Sequence, residues 1–187
     1  MRILLLRHAK SSWDHPGLRD HDRPLAGRGE RAAPAMGAHF ASSDLRIDRV
    51  ISSTAERAIA TARLFCESFD QQTPLTSHAG LYHADELTLL SIAIEGAHGD
   101  EGGRVMLVGH NPGMHDLALL LCCEGDPDDV ARMHAKFPTG ALAEFDLPLQ
   151  QMVGRQSVTQ LQAQLPAGRL VRFIRPKDLP GAKELRV

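Results

Sequence analysis

The chain has 187 residues, 43% hydrophobic and 24% charged, with a formal net charge of −2. That is enough apolar chain for one globular domain over 1–187, and the near-neutral balance gives no reason to expect nucleic acid or a membrane as the main partner. Three cysteines, Cys66 and the vicinal Cys122 and Cys123, do not make a disulfide framework and fit reduced thiols in the cytoplasm. Ile3 to Leu6 is too short a run for a signal-peptide core and instead suits a strand buried on both faces. Residues 28–42 predict a helix with Ala32, Met36, His39 and Phe40 on one face. Arg49–Ser52 reads as a strand, and 54–69 as a helix that turns Ala58, Ala62, Phe65 and Phe69 inward. A further strand is expected within 75–82 and a helix over 86–96, followed by a Gly-rich loop over 96–103. Arg104–Gly109 is the next strand, and 112–123 the next helix. Its apolar run Leu117–Cys123 falls far short of the roughly 20 residues of a membrane span and would bury both cysteines. Pro/Asp-rich 124–129 reads as a loop, and Ala141–Leu147 and Leu170–Ile174 as strands. Strands alternating with helices predict a single-domain α/β/α layered fold with a mainly parallel central sheet.

In such sheets ligands bind beyond the carboxyl ends of the strands. Three of those ends carry unusual residues. Arg7-His8 follows the first strand, Ser52-Ser53-Thr54-Ala55-Glu56-Arg57 the second, and His110-Asn111-Pro112-Gly113 the RVMLVG strand. Ser53 with Glu56 matches a capping box, and Asn111 with Pro112 matches an N-cap and first helical position. Helix N-termini favour anions, and the planar fork of arginine suits phosphate oxygens. An arginine in a helix's first turn, as at Arg57, opposes the macrodipole and so points to a ligand role. Two arginines, two histidines and two helix ends at one sheet edge would make a pocket for a phosphate dianion.

The ordered set RHA, SSTAERAIATA and VGHNPG, with DRPLAGRGERAA at 22–33 and PTGAL at 138–142, resembles the histidine phosphatase superfamily, also called phosphoglycerate-mutase-like. The short chain and the RPL segment look most like its SixA-like phosphohistidine phosphatase branch. The resemblance implies a phosphoglycerate-mutase-like fold, no metal and no organic cofactor. It implies that His8 is the nucleophile, that Arg7 and Arg57 hold phosphoryl oxygens, and that His110 is a second catalytic histidine donating to the phosphoryl group. Arg23 and Asn111 are further candidates for substrate binding. A neutral imidazole is a good nucleophile near neutral pH, and its attack splits one hard displacement into two easier ones.

The chain departs from the family in reading Ala9 where glycine is usual and Ala26 where threonine is usual. Larger members carry a glutamate as general acid after the middle helix. Here that region reads GLYHADEL, with Asp85 or Glu86 as candidates, and His83 or Tyr82 as others. A missing acid favours phosphohistidine, whose P–N bond is labile, over alkyl phosphates, whose leaving oxygen needs a proton. His78 with His83, and His110 with His115, lack metal-site spacing and read as structural or surface histidines. Lys10, Ser11 and Ser12 either line the pocket mouth or start a solvated loop, and Trp13 reads as packing or as a partner contact. The leading expectation is a phosphohistidine phosphatase acting on a partner protein, such as a phosphotransfer domain of a signalling relay. The alternatives are a phosphatase for small phosphomonoesters and a phosphate-binding module without turnover.

Overall fold

A computed structural model of the chain describes residues 1–69, 72–97, 103–148 and 168–183. In chain order the elements are β1 (Arg2–Arg7), α1 (Gly27–Ala41), β2 (Arg49–Ser53), α2 (Glu56–Phe69), β3 (Leu75–His78) and α3 (Glu86–Gly96). They continue with β4 (Arg104–Gly109), α4 (Gly113–Leu121), β5 (Cys122–Gly125), α5 (Pro127–Ala135), β6 (Leu142–Asp146) and β7 (Gly168–Ile174). The strands form one sheet in the order β3-β2-β4-β1-β6-β7-β5. Only β6 runs against the others, pairing antiparallel with both β1 and β7.

The central strands are apolar on both faces because both faces are covered. Ile3, Leu5, Val105, Leu107 and Phe145 face α3 and α4, where they meet Leu89, Leu90, Leu117 and Leu121. Leu4, Leu6, Met106, Val108 and Leu142 face α1 and α2, where they meet Met36, Phe40, Phe65 and Phe69. This is the period-2 alternation of strand side chains feeding two cores, so the expected α/β/α layering holds. One buried charge sits within the sheet. Glu144 is fully buried, hydrogen-bonded to Arg2 at 2.8 Å, with Arg172 Nε 2.7 Å from its other oxygen.

α1 and α2 approach closely at Gly37, where an added Cβ would stand 2.3 Å from the Phe65 carbonyl oxygen. Gly37→Ala gains about 1 kcal/mol of helix propensity but must push a backbone apart. The expected net loss is about 1–2 kcal/mol, read from a lowered urea midpoint. An unchanged midpoint would mean that the two helices separate without cost.

Two sequence expectations need correction. The apolar helix stops at Leu121, and Cys122–Gly125 is instead strand β5, paired with β7. The cysteines therefore do not lie in a helix core: Cys122 is half-buried and Cys123 exposed. Residues 127–135 are a helix rather than a continuation of loop. Asp126 accepts the N–H groups of Asp128 and Asp129 at 3.0 and 3.1 Å, and Pro127 takes the first helical turn. Asp-Pro is as good a helix start as a turn, and Met133 alone of this helix is fully buried, so the periodic signal is weak. No described helix is long and apolar enough to cross a membrane.

Candidate active site

β2, β4 and β1 lie side by side and parallel, so their carboxyl ends meet at one edge. Ser53 closes β2, His110 follows β4, and His8 follows β1 with its backbone N–H donating to the Gly109 carbonyl at 3.0 Å. The two histidine rings are buried, their centroids 5.0 Å apart and their planes tilted by 50°.

Each ring has one nitrogen fixed by a neighbour. His8 Nδ1 lies 2.7 Å from the Ala9 carbonyl oxygen. A carbonyl can only accept, so the neutral ring carries its proton on Nδ1 and keeps the Nε2 lone pair free. His110 Nε2 lies 2.9 Å from Ser53 Oγ, which also accepts the Ala55 N–H at 3.3 Å. Donation of the Ser53 hydroxyl proton to Nε2 satisfies both groups and leaves the His110 proton on Nδ1. That Nδ1 is buried without a protein partner. The pair thus offers a nucleophilic nitrogen on one ring and a spare N–H donor on the other.

Both rings are held neutral. Burial pushes His8 down to about 4, helped by the charges of Arg57, Arg7 and Arg23 and opposed by the Ala9 carbonyl. Burial pushes His110 down to about 3, helped by His8, Arg57 and His83 and opposed by Asp20. An unfolded histidine titrates near 6.5, so below that pH the unfolded chain binds more protons than the folded one. Stability is therefore full above pH 6.5 and falls as pH drops toward the folded values. The expected loss by pH 4 is of the order of 3 kcal/mol for each ring, about 6 kcal/mol for the pair. Urea unfolding at pH 7, 5 and 4 reads it, and His110→Phe, which removes one titrating ring, should flatten the slope. Equal stability at pH 7 and 5 would contradict the buried neutral pair.

A cationic cradle stands beside the rings. Arg57 is buried in the first turn of α2. Its NH1 donates to the Asp20 carbonyl and its NH2 to the Asp20 carboxylate at 2.8 Å. Arg23, also buried, donates to the same carboxylate at 2.9 Å, to Ser11 Oγ at 2.8 Å and to the Ser12 carbonyl at 3.0 Å. Tyr82 adds its hydroxyl to the Asp20 carboxylate at 2.9 Å. Partial burial works to raise the Asp20 carboxyl, but the hydrogen bonds from Tyr82, Arg23 and Arg57 outweigh it and hold it far below the usual range. Trp13 is 72% exposed and covers the Arg23 guanidinium at 3.2 Å. It packs on a cation, not in the core.

Arg7 donates from NH1 to the Phe137 carbonyl at 2.8 Å, and Asn111 donates to the same oxygen at 3.1 Å. Arg7 Nε and Asn111 Oδ1 are buried and unpartnered. With His110 Nδ1 they are three buried polar atoms without a protein partner, on residues that follow or end the adjacent strands β1 and β4. Asn111 is not the helix cap expected of it: Pro112 occupies that position, and α4 begins at Gly113. Nor does Ser53 cap α2. It ends β2, and the Ala55 carbonyl accepts the first helical N–H groups.

Asp85 caps α3 by accepting the Thr88 N–H at 2.8 Å, a bond that lowers its pKa. Glu86 opens that helix. No described hydrogen bond, ion pair or ring contact joins either to His8, His110, Arg7 or Arg57, whereas Asp20, Tyr82 and His83 all adjoin the site. The Tyr82 ring meets His110 edge-on at 5.4 Å, and the His83 ring lies tilted beside it at 6.0 Å. His78 accepts the Gly80 N–H, and His115 bonds the Met133 carbonyl, both local structural roles. Sequence reading missed Asp20, the His110 contact of Ser53, and Thr61. Thr61 Oγ1 accepts the Ala9 N–H at 2.9 Å and donates to the Arg57 carbonyl at 2.6 Å, tying the loop after His8 to α2.

The family description of the histidine phosphatase superfamily (branch 1) matches residues 3–85. A crystal structure of SixA from Agrobacterium tumefaciens, a provisional phosphohistidine phosphatase, superposes with a TM-score of 0.73 at 30% identity. The match covers 94% of this chain and 97% of that one. The chain belongs to the histidine phosphatase superfamily, in its SixA-like branch. This histidine phosphatase is also similar to an uncharacterized protein of Mycobacterium leprae, 35% identical over 148 residues, or 76% of this chain and 87% of that protein. The protein histidine phosphatase SixA complexed with tungstate shares the fold, with a TM-score of 0.67 at 19% identity over 94% of this chain and 97% of that one. The fold is phosphoglycerate-mutase-like, as the motifs imply. The family match spans Arg7, His8, Arg23 and Arg57, while His110 lies beyond it on the neighbouring strand end.

Proposed function

We propose that this histidine phosphatase, read as one domain over 1–187, removes the phosphoryl group from phosphohistidine on a partner protein. His8 Nε2 attacks phosphorus as the P–N bond of the substrate breaks, and the departing imidazole takes up a proton from solvent. Water then attacks the phosphorylated His8, breaking the new P–N bond and releasing phosphate. Arg7 and Arg57 carry the phosphoryl oxygens, His110 Nδ1–H donates to one of them, and Arg23 and Asn111 border the same anion. Positioning and charge stabilisation are most of what phosphoryl transfer asks of a protein.

One observation supports the substrate class. The carboxylate that adjoins the cradle, Asp20, is held ionised by Arg57, Arg23 and Tyr82 and so has no proton to give. An alkoxide leaving group needs that proton in the transition state far more than an imidazole does. Three free thiols suit a reducing compartment, and the cytoplasm is the proposed location. The test is phosphate release in excess EDTA. A histidine-phosphorylated phosphotransfer protein is compared with a panel of phosphomonoesters at matched concentration. Preference for the phosphoprotein supports the reading. Preference for a monoester moves the assignment to small esters and makes Asp85 and Glu86 the next residues to replace.

A further inference from the structure

A second concave surface opens at the same sheet edge. It is a cavity of about 570 Å³ with six cations in its lining: Lys10, Arg28, Arg132, Lys136, Arg175 and Lys177. No carboxylate lines it among the described residues. Arg132 and Arg175 are committed elsewhere, to Asp129 and Asp178. Lys10, Arg28, Lys136 and Lys177 have no ion-pair partner among the described residues. Four unpaired cations around one hollow repel each other, and this in a chain of net charge −2. Arg28 stands in the first turn of α1, where a cation also opposes the helix dipole. An arrangement unfavourable in the free protein is favourable with an anion in place.

The cavity is joined to the nucleophile through the backbone. β6 and β7 pair so that Leu6, Leu142 and Ile174 stand in register, which puts Thr139 and Arg175 at the edge where β1 ends in Arg7. The Gly140 N–H, beside the cavity wall of Pro138 and Thr139, donates to the Arg7 and His8 carbonyls at 3.0 and 3.1 Å. Lys10 lines the cavity two residues after His8.

We infer that this basic cavity receives an acidic segment of the phosphorylated partner, steering carboxylates into the hollow while the phosphohistidine reaches His8. The inference rests on the phosphoprotein reading above. A phosphoryl pocket recognises only the phosphate, so discrimination among phosphoproteins must come from a surface beside it. Complementary charge there raises the association rate and is sensitive to salt.

The test uses two short peptides, each phosphorylated on one histidine with phosphoramidate, one flanked by glutamates and the other by glutamines. The acidic peptide is expected to show a kcat/KM about tenfold higher at low ionic strength, converging with the neutral one at high salt. Lys136→Glu combined with Lys177→Glu should remove the preference and leave the neutral peptide unchanged. Equal turnover of the two peptides by the wild-type protein overturns the inference and leaves the phosphohistidine reading standing. No turnover of either overturns that reading, and the cavity is then judged by binding alone. For this, fluorescence anisotropy follows a labelled, unphosphorylated acidic peptide against wild-type protein and the double variant. Binding that ignores the two substitutions overturns the inference. So does binding of inorganic triphosphate without binding of the acidic peptide, which would assign the cavity to a small polyanion.

Discussion

The His8→Ala variant is expected to lower phosphate release by at least about 10,000-fold and to form no acid-labile phosphoenzyme. The reason lies in the bond at the other end of the ring. Nδ1 is committed to the Ala9 carbonyl, so Nε2 is the one nitrogen with a lone pair to offer, and burial keeps it unprotonated down to about pH 4. His110 cannot take over. His110 has its Nε2 engaged by Ser53 and presents a hydrogen-bond donor where a nucleophile would need a lone pair. His110→Ala should therefore still accumulate some phosphoenzyme, formed slowly, while His8→Ala forms none. Rapid quench with labelled substrate separates the two. Label on His8→Ala would move the nucleophile to another residue and end the present assignment. Folding is a small concern, because both rings sit at strand ends rather than in the packed layers.

Much of this site is legible in sequence because its residues sit where secondary structure changes. An apolar run that stops at Arg7-His8, and another that stops at His110, read as strand tips. Parallel strands bring such tips together. What sequence hides is who holds these residues. Ser53 reads as a helix cap, yet it is a fully buried strand end that sets the His110 tautomer. The motif is the same in either case, and only the position of the first helical turn decides between them. Asp20 lies in an exposed stretch rich in charge, and nothing in its neighbours distinguishes it from a solvated loop acid. Its role depends on Arg57, 37 positions away, and Tyr82, 62 positions away. The helix over 127–135 hides for a different reason. A short helix with one fully buried residue leaves almost no periodic trace, and its Asp-Pro start is shared with turns.

The second large effect is expected at Arg57. Arg57→Met should lower kcat/KM by about 100- to 1,000-fold, since on the proposed mechanism it removes a planar donor set that meets the charge building on the phosphoryl oxygens. In the free protein, however, part of that donor set faces Asp20, whose carbonyl and carboxylate both accept from it. The carboxylate stands in a cradle meant for an anion, and an arriving phosphate must contend with its charge. Asp20→Asn keeps the shape and withdraws the charge, so inorganic phosphate should inhibit this variant several-fold more tightly than wild type. Arg23 gains a free donor in the same substitution and adds to that effect. Combining Asp20→Asn with Arg57→Met should erase most of the gain, because the carboxylate acts on the anion chiefly through that arginine. If Asp20→Asn instead weakens phosphate binding while Arg57 is intact, the carboxylate serves mainly to hold the guanidinium fork in place. The ordered fork would then be worth more than the charge that opposes the ligand.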